Sequence, residues 1–120
     1  MLLLTSDAAD ARTQLLVEAK TGSNNAWYAV IESLRQLRLF QLSQVARSIF
    51  TLRGSHDGTP PPVEAVILAP EAFYTSRGAK ERATDGALQL LAALAPIPDV
   101  VVRLATWNPA QRSVAPLRLP

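Results

Sequence analysis

The sequence predicts an α/β domain with a mixed sheet of about four strands, ordered hairpin, helix, strand, helix, strand. Three observations carry this. Two short apolar runs, residues 2–6 and 14–20, sit close together near the start. A long pattern of apolar residues at helical spacing begins at Ala26, and residues 63–69 form a nearly continuous apolar run closed by Pro70. At 120 residues the chain is one domain's worth of sequence, so 1–120 is read as a single unit.

Taken in order, residues 2–6 and 14–20 read as the two strands of a β-hairpin joined by the polar, alanine-rich stretch 7–13. Thr21, Gly22, Ser23, Asn24 and Asn25 break the second strand, and the Ser and Asn residues suit a helix N-cap. Trp27, Val30, Ile31, Leu34 and Leu37 then recur at helical spacing, and the pattern continues through Val45, Ile49 and Leu52 without Gly or Pro. Residues 53–62, with two glycines and three prolines, end that helix in a surface loop. Residues 63–69 read as a central strand buried on both faces, and 71–78 as a connector. Ala79, Ala83, Ala87, Leu90, Leu91 and Leu94 trace a second helix that stops before Pro96. Residues 99–107 form a last strand, parallel to 63–69 because a helix joins the two, and the tail from Asn108 shows little periodicity.

Composition removes several classes of function. The chain has no cysteine, which excludes disulfides, thiol catalysis and zinc–thiolate sites, and its lone His56 cannot build a histidine-rich metal site. Carboxylates must do any metal chemistry. Net charge is +2, which permits contact with a polyanion without demanding it. No apolar run approaches the roughly 18 residues of a membrane helix, and the opening residues lack the basic flank of a signal peptide, so the expectation is a soluble cytoplasmic protein.

The residues most suggestive of chemistry are Glu18 and Lys20, at the end of the second strand. Side chains at i and i+2 leave a strand on one face, so a carboxylate and an ammonium are presented together where the strand meets a polar loop. A carboxylate binds hard divalent cations, and an ammonium orients water or neutralises charge building on a phosphate. The chain uses ten arginines and only two lysines, which suggests that position 20 wants a compact point charge. The plain alternative is an exposed ion pair at a strand end.

The run 15–20 (Leu-Leu-Val-Glu-Ala-Lys), followed by a polar loop and an amphipathic helix, resembles the core of the PD-(D/E)XK, or restriction-endonuclease-like, nuclease superfamily. The later strand, helix and strand around residues 63–70 and 100–104 are similar to that core as well. The resemblance implies a restriction-endonuclease-like fold, DNA as partner, Mg²⁺ or Mn²⁺ as cofactor, Glu18 and Lys20 as catalytic residues, and Glu18 as a metal ligand. It also implies a further Asp ligand near the start of the preceding hairpin strand and a leading helix upstream. With Ser6 paired to Gln14, Leu2 lies opposite Glu18, so that Asp would stand at or before Met1. Asp7 and Asp10 fall at the far end of the hairpin, and Asp7 becomes the missing metal ligand only under a different register.

Two other acids, Glu32 and Glu64, are candidates for the same place. With Val30 at zero and about 100° per residue, Leu34 and Leu37 stay on the core side while Glu32 turns to about 200°, facing solvent. Glu64 opens the strand at 63–69 and reads as a solvated strand end. Trp27, Phe40 and Phe50 read as core or interface anchors, and Arg35, Arg38, Arg47 and Arg53 as a solvated helix face able to meet phosphates. His56 is assigned no chemistry. Two functions fit: a Mg²⁺-dependent endonuclease core, weakly active or inactive as the chain stands, or a non-catalytic interaction protein on the same fold. Apolar Leu39, Phe40, Leu42 and Phe50, spread around the long helix, favour a homodimer in either case.

Overall fold

The computed structural model describes residues 2–8, 11–20, 24–50 and 62–117. The elements are β1 (Leu2–Ala8), β2 (Ala11–Ala19), α1 (Ala26–Phe50), β3 (Val63–Pro70), α2 (Glu71–Thr75), α3 (Ala79–Leu94), β4 (Val102–Asn108) and β5 (Ser113–Pro116). The strands form one sheet in the order β1-β2-β3-β4-β5. The β1–β2 and β4–β5 pairs are antiparallel, whereas β2, β3 and β4 run parallel. The fold is therefore α/β with a mixed sheet, and the run 63–69 is its central strand.

Local chemistry explains the element ends. The side-chain Oδ1 of Asn25 accepts a hydrogen bond from the Tyr28 amide at 3.1 Å, capping α1. The apolar spacing anticipates a helix to Leu52; α1 closes at Phe50, and residues 51–61, with His56 and Arg53, lie outside the described residues. Between α2 and α3 the chain turns through Gly78 at φ 90°, a conformation glycine adopts without steric cost.

Five features of the architecture differ from the expectations, the first being that the stretch 71–78, expected as a connector, holds the helix α2 with buried Phe73 and Tyr74. The hairpin connection is short: β1 runs to Ala8 and β2 starts at Ala11, so Asp7 is a strand residue. Its register pairs Leu2 with Val17, one residue away from the expected pairing with Glu18. The central strand is not buried on both faces. In β3, Val63, Ala65, Ile67 and Ala69 are buried while Glu64, Val66 and Leu68 are partly exposed, because the helices pack on one face of the sheet only. The tail supplies a fifth strand, β5, whose Pro116 is tolerated because the strand lies at the edge.

The core fills the helix-covered face. Leu16, Ile67, Val102 and Leu104 of the sheet pack with Ala26, Ala29, Val30 and Leu37 of α1, Phe73 and Tyr74 of α2, and Ala87 of α3. The buried Tyr74 hydroxyl is satisfied by the carbonyls of Ile67 and Ala105, both at 3.0 Å, which fastens α2 onto β3 and β4. Trp27, expected as a core or interface anchor, is 40% exposed and lies against Gly86 of α3. The opposite sheet face carries Leu15 and Val17 of β2, Val66 and Leu68 of β3, Trp107 of β4 and Val114 of β5. Among the described residues no helix is long and apolar enough to cross a membrane.

Candidate functional site

The site stands at the carboxyl edge of the parallel strands, where open α/β sheets commonly bind ligands. The β2–β3 register aligns Gln14, Leu16 and Glu18 with Val63, Ala65 and Ile67, so Glu18 projects toward the helix-covered face. Lys20 follows one residue after β2, held by its amide donating to the Leu68 carbonyl at 2.8 Å. Its ammonium lies 2.8 Å from Glu18 Oε1 and 2.9 Å from Glu32 Oε2, joining strand and helix through three charged groups.

The cluster is partly buried. The side chains of Lys20 and Glu18 are 14% and 20% exposed, and only Glu32, at 47%, reaches well into solvent. Burial pushes the Lys20 ammonium toward losing its proton, but the hydrogen bonds and charges of Glu18 and Glu32 outweigh that, so its pKa stands above the ordinary lysine value. Lys20 is thus a permanent cation at neutral pH, suited to electrostatic work and not to accepting a proton. The two carboxylates and one ammonium leave the cluster with a net charge of −1. Glu18 Oε2 is buried and accepts no hydrogen bond, so one carboxylate oxygen remains unused by the protein.

Glu32 is exposed, as the helical wheel predicts, and what the wheel does not show is that its carboxylate also reaches Lys20. Val30 and Leu37 are buried as the wheel predicts, and Ala26, Ala29 and Ser33 join them on the buried side of α1. On the same scale Ala29, Ser33 and Leu37 fall at about 260°, 300° and 340°, which rotates the contact arc toward Glu32. Small side chains set this rotation by allowing the helix to lie close to the sheet, and they carry little weight in a search for large apolar residues.

The remaining candidates lie elsewhere. Asp7 stands opposite Arg12 in the hairpin, six residues along β2 from Glu18, about 20 Å at strand rise. The structure therefore does not bring Asp7 to the Glu18–Lys20 pair. The hairpin position opposite Glu18 falls on residue 1, outside the described residues, as does Asp10. Glu64 is level with Leu15 on the other face of the sheet and pairs with Arg103 at 2.9 Å. Arg35 and Arg38 are exposed on α1, while the side chains of Arg47 and Phe50 lie outside the described residues. Among the described residues no three His, Cys, Asp or Glu side chains gather as a metal site. A cation held here would bind through Glu18 and Glu32 with other oxygen donors completing its shell, and the unused Glu18 Oε2 fits that demand.

No protein-family model, curated protein or solved structure matches this chain.

Proposed function

We propose that the chain is a metal-dependent phosphodiesterase core acting on DNA, with Glu18, Lys20 and Glu32 as its working residues and Mg²⁺ or Mn²⁺ as its cofactor. The observation that carries this reading is the buried, unpartnered Glu18 Oε2 beside an ammonium shared with a second carboxylate. A structural ion pair has no need of a spare buried carboxylate oxygen, whereas a cation site does.

When bound, a divalent cation polarises a phosphoryl oxygen and makes a coordinated water more acidic. Glu18 and Glu32 would hold it. Lys20 has three N–H donors, of which Glu18 and Glu32 engage two, leaving a third to meet a phosphate oxygen as negative charge accumulates. Hydrolysis joins a water oxygen to phosphorus, with that water giving up a proton to solvent, and breaks the bond to the leaving sugar oxygen, which takes a proton from solvent. Exposed Arg35 and Arg38 on α1 and Arg77 and Arg82 around the start of α3 provide cations for the rest of a polyanion. With two carboxylates instead of three, turnover is expected to be slow.

The test is nicking of supercoiled DNA in Mn²⁺ and in Mg²⁺. Activity is expected to vanish in EDTA and to fall at least about a hundredfold in Glu18→Gln, Lys20→Ala and Glu32→Gln, since all three act in one transition state. Cleavage that survives EDTA or the three substitutions would overturn the reading.

A second reading, a non-catalytic homodimer, is favoured by the exposed apolar groups. Leu39, Leu42 and Val45 of α1 are each about half exposed, and the second sheet face presents Trp107 and Val114. A second copy would cover such a surface in a closed, self-complementary way.

A further inference from the structure

Two contacts fix how α1 lies across β2. Near its start, Glu32 meets Lys20; three turns later, the Gln44 amide donates to Gln14 Oε1 at 2.8 Å. Helix and strand therefore run antiparallel over this span. Twelve helical residues at about 1.5 Å cover about 18 Å, and six strand residues at about 3.3 Å cover about 20 Å, so each helical step of four matches a strand step of two. Phe40 then falls level with Leu16, and both pack in the same core. By the same measure Gln36 is level with Glu18. Gln36 Oε1 and Glu18 Oε2 are the two side-chain oxygens that are buried without a hydrogen-bond partner among the described residues. In this orientation of the amide both atoms are acceptors and cannot bond each other, although a turned Gln36 amide would donate to Glu18; as oriented, both are oxygens of the kind that hard cations bind.

We infer that the Gln36 amide oxygen is the third protein ligand of a divalent cation held by Glu18 and Glu32. This rests on the metal-dependent reading above and deepens it. The set of two carboxylates and one amide oxygen suits Mg²⁺ or Mn²⁺, with water or phosphate oxygens completing the shell. Gln36 is one helical turn beyond Glu32, so α1 alone presents two of the three ligands.

The test is Mn²⁺ binding to the full chain, followed by electron paramagnetic resonance of free Mn²⁺, in wild type, Glu18→Gln, Gln36→Leu and Gln36→Glu. Thermal unfolding of each variant in EDTA reports that it is folded. The inference expects Gln36→Leu to weaken binding by about tenfold or more, and Gln36→Glu to retain or tighten it because a carboxylate replaces a neutral oxygen. Equal affinity in wild type and Gln36→Leu would overturn the inference while leaving the Glu18 and Glu32 site standing. Equal weakening in Gln36→Leu and Gln36→Glu would overturn it as well, showing that the amide serves as a donor to Glu18. Absence of Mn²⁺ binding in wild type at millimolar concentration would overturn the metal-dependent reading itself.

Discussion

Replacing Lys20 by methionine keeps the stem of the side chain and removes the charge between Glu18 and Glu32. The two oxygens that meet the ammonium lie 2.8 and 2.9 Å from it, so they are within about 5.7 Å of each other. Without the ammonium they repel by about 3 kcal/mol at an effective dielectric constant near 20. Solvent reaches Glu32, which is 47% exposed, and screening reduces the net cost to about 1–2 kcal/mol. For 120 residues, an unfolding entropy of about 0.25 kcal/mol/K turns that into a fall in Tm of about 4–8 °C. The assay is thermal unfolding at pH 7 in EDTA, repeated with Glu18→Gln in both backgrounds. Glu18→Gln should recover at least half of the loss caused by Lys20→Met, because it removes one of the two repelling charges. Mn²⁺ should recover part of it too. The Lys20 pKa is raised in the folded state, so its stabilising effect is full below the unfolded value near 10.5 and is lost as pH rises through the folded value. The gap between wild type and Lys20→Met should accordingly stay level from pH 7 to about 10 and close above that. A Tm within about 1 °C of wild type, or no recovery in the Glu18→Gln background, would refute the reasoning.

Tyr74→Phe removes a buried hydroxyl whose single proton is shared between the Ile67 and Ala105 carbonyls, at an expected cost of about 1–2 kcal/mol in denaturant unfolding. Burial raises the Tyr74 pKa, against a smaller lowering by its bond to Ala105, so wild type should lose stability as pH rises above about 10, by about 1.4 kcal/mol per unit. The phenylalanine variant lacks this loss, and the two stability curves should converge by about pH 11; parallel curves would contradict the assignment. For the homodimer, light scattering should give twice the 13.0 kDa chain mass at micromolar concentration, and a value at the chain mass would remove that reading.

Hydrophobic pattern made much of the fold legible. The helical spacing from Ala26, the apolar run before Pro70 and the alternation through Glu18 and Lys20 each correspond to an observed element. The hairpin register was not legible, because residues 7–13 offer two turn-forming residues, Asp7 and Asp10, and no Gly, Pro or Asn to choose between them. A shift of one residue in that turn moves every cross-strand pair. β5 escaped notice because an edge strand of four residues containing a proline carries little pattern. The solvent-facing position of Glu32 was legible, but its reach to Lys20 was not, because Ala26, Ala29 and Ser33, which a search for large apolar residues passes over, decide how the helix beds down. Gln36 offers no sequence signal at all, since a neutral polar residue on an amphipathic helix is ordinary.

Glu18, Lys20 and Glu32 fall within fifteen consecutive positions, so one strand, one connection and the first turns of one helix contain the whole cluster. The number of residues between β2 and α1 therefore decides which side chain of α1 meets Lys20. Sliding the helix back by a single turn would set Gln36 where Glu32 now meets Lys20, turning the cluster from net negative to neutral without altering any residue. Four residues inserted between Lys20 and Asn25 and four deleted there are thus not equivalent changes to a neutral spacer. The length of that connection determines which charges face each other, and a relative of this chain could be read for cation binding from the length of its loop as well as from its acids.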